Sequence, residues 1–348
     1  MKQILLAVCA ILAAGATLAG DLTITRLKNA GDSANPAPAP PDMDSFPAGG
    51  TNVVTFDWVT LPASSNPDYA SVAYLNANTL SPSGVTGAGA VSYAFRLMKY
   101  KISVAEIKTL QAANPALSFL PANVNMANWH VDSPWMTGNQ MIRLRFVNWC
   151  NRVHGYHDAY RFDAMGYWKM WDAADSWVDN GKTNRFRHKD CFYFLPSKDE
   201  STKAFFWDYN NSKYWLYQFG SDSAPTYTTN YGTTAGTVYG GAIGHPEYGP
   251  APVRQAGGLS LNGLGCVLNA WECLESASDG LNDSVDNNEW VLVQGGKWYT
   301  GIGSITHLDY ERPYEATNNL TKSPLGAITV QADWSNPNNA LRLGSKVP

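Results

Sequence analysis

The chain is short of what several function classes require. Only 16% of its 348 residues are charged, and 25 basic against 29 acidic side chains leave a net charge of −4. The basic residues are scattered, so the clustered cationic face that nucleic acid demands is missing. Beyond residue 20 no apolar run reaches the ~18 residues of a membrane-crossing helix. There is no Cys-x-x-Cys pair to suggest a zinc knuckle or a thioredoxin-like centre. There is no Gly-x-Ser-x-Gly turn to lift a serine nucleophile, and no internal repeat of fixed period. Asp57, Asp68 and Glu106 are scattered carboxylates with nothing in the sequence to pair them as acid and base.

What is present begins with residues 1–20, MKQILLAVCAILAAGATLAG. A lysine, an apolar stretch and a small-residue end are the layout of a secretory signal peptide, so a secreted or periplasmic protein is expected. Cys9 lies inside that stretch, which leaves Cys150, Cys191, Cys266 and Cys273. In an oxidising compartment an even number predicts at least one disulfide, with the connectivity left open. Residues 21–50 are rich in proline and alanine and read as a linker or surface-hugging arm. One domain is expected over 51–335, followed by a tail at 336–348.

The aromatic load is heavy, with 13 Trp, 18 Tyr and 12 Phe beside 30 Gly and 20 Pro. Such a chain has much loop, and large rigid side chains fill the gaps between loops, so most of the aromatics are expected in the core. TNVVTFDWVTL (51–61) and AVSYAFRLMKYKIS (90–103) alternate as strands do. Val104, Ile107 and Leu110 then recur at helical spacing behind Ser103 as N-cap, with Glu106 three residues on. A stronger helix is expected at 139–153, where Met141, Leu144, Val147 and Cys150 form one stripe. Ser197 can cap a third helix with Asp199 and Glu200 in its first turn. From Gly220 to about residue 260 the chain is a long Gly/Thr/Ser/Tyr-rich loop. Few helices, short strands and long loops describe an irregular α+β domain.

Six stretches stand in one order: RLMKYKISVAEI (96–107), PWMTGNQMIRLRFVNW (134–149), FLPSKDE (194–200), FWDYNNSKYWLYQFGSDSAP (206–225), NGLGCVLNAWE (262–272) and VLVQGGKW (291–298). Together they resemble the formylglycine-generating enzyme, or sulfatase-modifying-factor, family over about residues 56–330. The resemblance implies an elaborated C-type-lectin-like fold with little regular secondary structure. It also implies differences. The family's LPTEAEWEYA tryptophan falls at Ser201, and GLYDMxGNVWEW is one residue shorter here, with Cys273 for its last tryptophan. Catalytic members carry two copper(I)-binding cysteines after their GGSW, and those positions are Thr300 and Ile305. A hydroxyl and an alkyl group do not replace soft thiolates, so no copper and no formylglycine chemistry are expected, and the GGKW segment with Trp298 reads as bracing.

The resemblance further places Asn269 and Glu272 at the family's structural calcium site. Calcium takes six to eight oxygens, so the pair is part of an ion site or else a hydrogen-bonded turn. Asp279, Asn282, Asp283, Asp286 and Asn288 crowd one loop, either a second ion site or a solvated loop off the EF-hand spacing. His154, His157 and Asp158 are either a partial zinc set or an exposed turn. The expected function is an exported, non-catalytic binding or scaffold module that displays loops, notably 226–250, to a protein or glycan partner. The alternatives are an exported enzyme of altered chemistry on the same fold and a structural envelope component.

Overall fold

A computed structural model describes residues 42–75, 82–120, 130–136, 140–228, 230–239, 249–265, 269–277, 279–283, 291–294 and 339–348. The architecture is mixed α and β, with three α-helices among the described residues, short strands and long loops. None of the described helices is long and apolar enough to cross a membrane.

The main sheet has four antiparallel strands in the order Tyr193–Phe194, Gly344–Lys346, Phe95–Met98 and Trp58–Leu61. Residues 344–346, expected in a tail, instead fill an interior position of this sheet. Leu341 and Leu343, just before them, are fully buried. Gly344 is needed where it stands, because a Cβ there would overlap the Phe194 ring. The other expected boundary moves as well. Ser45–Pro47 pairs with Val53–Thr55, and Met43 and Phe46 are buried, so the folded unit begins before residue 51.

Helix α1 (Val104–Ala113) starts where the sequence indicates. Ser103 Oγ accepts from the Glu106 N–H while the Glu106 carboxylate takes the Ser103 N–H, and Val104, Ile107 and Leu110 face the core. Three such side chains stabilise by about 1.5–3 kcal/mol each. Helix α2 (Gln140–Val153) is buried on more than one stripe, and its polar side chains act as clamps. Asn151 accepts from the Phe192 and Tyr193 N–H groups and donates to the Tyr193 carbonyl, fixing the outer strand of the main sheet. Asn148 closes a two-way pair with the Tyr160 backbone. Helix α3 (Lys198–Phe206) opens on the Ser197–Glu200 capping box.

The core is aromatic. Phe46 meets Phe56, Trp149, His154 and Tyr193 with centroids 4.7–5.8 Å apart. Cys150, Cys191 and Cys273 are buried free thiols, and Cys266 lies outside the described residues. The expected disulfide is therefore not formed by any of the three described cysteines. Burial raises all three thiols, Cys191 to about 12.

Candidate functional site

Two buried ion networks and one open cleft hold most of the chemistry among the described residues. The first network contains Glu272, on the strand Trp271–Ala277. Arg342 Nε donates to Glu272 Oε2 at 2.8 Å and its terminal nitrogen to Oε1 at 2.9 Å, while Lys101 Nζ reaches Oε1 at 3.0 Å. Arg342 also donates to the carbonyls of Met98 and Lys99. Burial pushes the Glu272 carboxyl up, but the Arg342 and Lys101 charges outweigh it and hold the group below its ordinary value. Asn269, with φ 81°, exchanges two hydrogen bonds with the Ala251 backbone at 2.8 and 2.9 Å. Among the described residues, two cations occupy the Glu272 carboxylate and the Asn269 amide is closed on the Ala251 backbone, so these two side chains present no free oxygen set of the kind calcium takes.

The described part of the acidic loop is held by its own backbone and by the strand Lys182–His188. Asp279 accepts from the Leu281 N–H, and Asn282 accepts from Ala277 N–H and donates to Asn184 Oδ1. Asp283 is exposed, and Asp286, Asn288, Trp298, Thr300 and Ile305 lie outside the described residues. No group of three or more His, Cys, Asp or Glu able to hold a metal ion occurs among the described residues. The HGYHD residues part company. His154 turns into the core against Phe46 and Tyr193, where burial holds it neutral with a pKa of about 4. His157 stacks on His188 at 3.5 Å with rings 6° apart, and Asp158 pairs with Arg152 at 2.6 Å.

The second network is built on Arg187, which is 1% exposed. Its guanidinium contacts Glu200 at 2.6 and 2.8 Å and Glu275 at 2.6 Å. Tyr93 donates to Glu200 at 2.5 Å and Tyr160 to Glu275 at 2.8 Å, and the Asn184 amide also donates to Glu275. One guanidinium thus serves two carboxylates, and they diverge. Burial raises both, yet Arg187 wins at Glu200, which lies below its ordinary value. At Glu275 burial and the neighbouring Glu200 charge win, and its value is raised.

This network floors a cleft of about 90 Å³. One wall is the hairpin of Ser176–Asp179 and Lys182–His188, turned by Asn180 and Gly181 with φ of 49° and 76°. Two positive φ angles in a two-residue loop are what an Asn-Gly turn supplies. Trp177 stands edge-on to Tyr93 at 5.1 Å in this cleft. Asp199, at the start of α3, accepts from the Gly89 N–H at 2.8 Å and lies 3.6 Å from Lys182, which also meets Asp68 at 3.3 Å. Burial raises the Asp199 carboxyl to about 6 in spite of Lys182. Asp68, a scattered carboxylate in the sequence, thus shares Lys182 with Asp199. Asp57 and Glu106 share Arg254, the latter at 3.9 Å.

Sequence reasoning passed over Tyr93, Trp177, Lys182, Arg187, Glu275 and Arg342. Two signals pointed to some of them. The Asn-Gly pair in SWVDNGKTNRFRH marks a hairpin, and glutamates inside the apolar strand WECLESA require buried cations elsewhere.

No family model and no curated protein matches the chain. Among solved structures it is similar to Treponema denticola variable protein 1, with a TM-score of 0.49 and 13% identity over 87% of this chain and 98% of that one. It is also similar to CarF (TM-score 0.48, 13% identity, 84% and 99% covered) and to PvdO from Pseudomonas aeruginosa (0.41, 12%, 89% and 100%).

Proposed function

We propose that this chain is an exported, non-catalytic module of the sulfatase-modifying-factor type that binds a protein or glycan partner. The observation that carries the reading is the closure of its ion networks. Glu272 is held by Arg342 and Lys101, and Arg187 by Glu200 and Glu275, all at 2.6–3.0 Å and within 4% of full burial. Charges so paired are neutralised within the protein, which leaves them little net charge to offer an ionic substrate. Thr300 and Ile305 at the copper-ligand positions, and the order of the six sequence phrases, support the same reading. The remaining cleft is smaller than the ~300–1,000 Å³ of a small-molecule site. It suits one protruding group of a larger partner.

A second reading, an exported enzyme of altered chemistry, is favoured by Asp199. A carboxyl held near 6 beside open space can exchange a proton close to neutrality. Both readings meet one experiment. The chain lacking residues 1–20 is screened against a glycan array and fractionated envelope proteins, and incubated with copper(I), oxygen and a sulfatase-type cysteine peptide. Saturable binding to one partner class with no peptide aldehyde is expected. Aldehyde formation, or no saturable binding at all, overturns the proposal.

A further inference from the structure

The Arg187 cleft is where open space meets buried polar groups that lack partners. Arg187 Nε–H is buried with no acceptor among the described residues, and the same holds for Trp177 Nε1–H on the cleft wall. Both are donors. A buried donor without an acceptor is costly, and both of these border open space from which an oxygen acceptor can enter. Asp179 and Asp199 line the same space and offer carboxylate oxygens, which accept. A fitting group must therefore accept and donate within a few ångströms.

Charge narrows the choice. A carboxylate would accept from Arg187, but it would be the third on a guanidinium already shared by Glu200 and Glu275. An ammonium would satisfy Asp199 but leave both N–H groups unmet, and Lys182 already lies 3.6 Å from that carboxylate. A hydroxyl accepts and donates without adding charge. Two neighbouring hydroxyls on a ring do so twice.

We propose that the cleft is a saccharide subsite, taking the hydroxyl-bearing edge of one neutral sugar ring, with Trp177 and Arg187 donating and Asp179 and Asp199 accepting. The inference rests on the binding-module reading and narrows its partner to a glycan. The cleft volume of about 90 Å³ admits a ring edge and excludes a buried disaccharide. Uronic and sialic acids are disfavoured, because Arg187 already serves two carboxylates, Lys182 is taken by Asp68 and Asp199, and Asp179 and Asp199 border the same space.

The test titrates methyl glycosides of glucose, galactose, mannose and N-acetylglucosamine, methyl glucuronide, and glycine as a zwitterion, each followed by ligand-observed NMR. At least one neutral glycoside should bind in the millimolar range, and methyl glucuronide at least about tenfold more weakly. Trp177→Phe keeps the ring and removes the N–H, so it should weaken binding about fivefold with melting unchanged. Asp179→Ala, at a half-buried lining position, should weaken it similarly. Binding of glycine in place of every glycoside, or glycoside affinity untouched by both variants, overturns the subsite. If array or envelope binding survives both variants while no methyl glycoside binds, the subsite falls and the binding module stands. If nothing binds in any format, the module reading falls with it.

Discussion

Arg342 grips Glu272 through two parallel hydrogen bonds of 2.8 and 2.9 Å, with Lys101 on the same carboxylate. Arg342→Ala removes the fork and leaves Glu272 buried with one cation, at an expected cost of about 3–5 kcal/mol in urea unfolding. Because the carboxylate is already saturated by protein cations, melting curves in calcium and in chelator should superimpose. A chelator-induced drop of several degrees that Glu272→Gln abolishes would restore an ion to this position.

The Arg187 network makes an unequal pair of variants. Arg187→Met leaves two buried carboxylates facing one another and should destabilise by about 3–5 kcal/mol. Glu275→Gln leaves a one-to-one pair of Arg187 with Glu200, and the Tyr160 hydroxyl can turn to meet the new amide. It should cost about 1 kcal/mol or less. Denaturation at pH 7 measures both, and equal losses would refute the unequal sharing.

His154 sets an acid limit. Its folded value is about 4 against the ordinary 6.5, because burial disfavours the imidazolium. Between those values the unfolded chain binds a proton that the folded chain refuses, so stability falls as pH drops from 6.5 towards 4. His188 acts in the same direction, also held near 4 by burial and by His157, while Asp199 at about 6 opposes them between 6 and 3.8. Both ring nitrogens of His154 lack partners among the described residues, so His154→Phe should stabilise slightly at pH 7 and remove close to one proton from the acid slope. Unfolding free energies measured from pH 4.5 to 7.5 would show an unchanged slope if this assignment were wrong.

Cys150, Cys191 and Cys273 should resist alkylation in the native chain, since burial both hides them and keeps them protonated. All three should react after denaturation without reductant. Peptide mapping that finds any of them in a disulfide would contradict the structure.

Local rules served the sequence reading well where a short segment determines its own shape. Ser103 with Glu106 and Ser197 with Glu200 are complete capping signals, and α1 and α3 begin at both. The apolar stripe of 139–153 is likewise a helix, although clamps such as Asn151 bury more of it than a stripe implies. What escaped was set by distant partners. Arg187 meets Glu275 across 88 residues of chain, and Arg342 meets Glu272 across 70, separations for which hydrophobic periodicity carries no information. Residues 344–346 look like a polar end segment because a glycine and a serine are buried there only by the neighbouring strands. The cleft was hidden for the same reason, since Tyr93, Trp177 and Asp199 converge from three separate segments.

The interior place of strand Gly344–Lys346 also bears on when the molecule can form. Arg96 bonds Ser345 across 249 positions, so the main sheet stays open until residue 346 has left the ribosome. Closing so large a loop late makes folding slow relative to chains rich in local contacts. A slow-closing sheet leaves the polypeptide extended and threadable for longer. Without Gly344–Lys346 the sheet would lose an inner strand and leave Phe95–Met98 exposed along one edge.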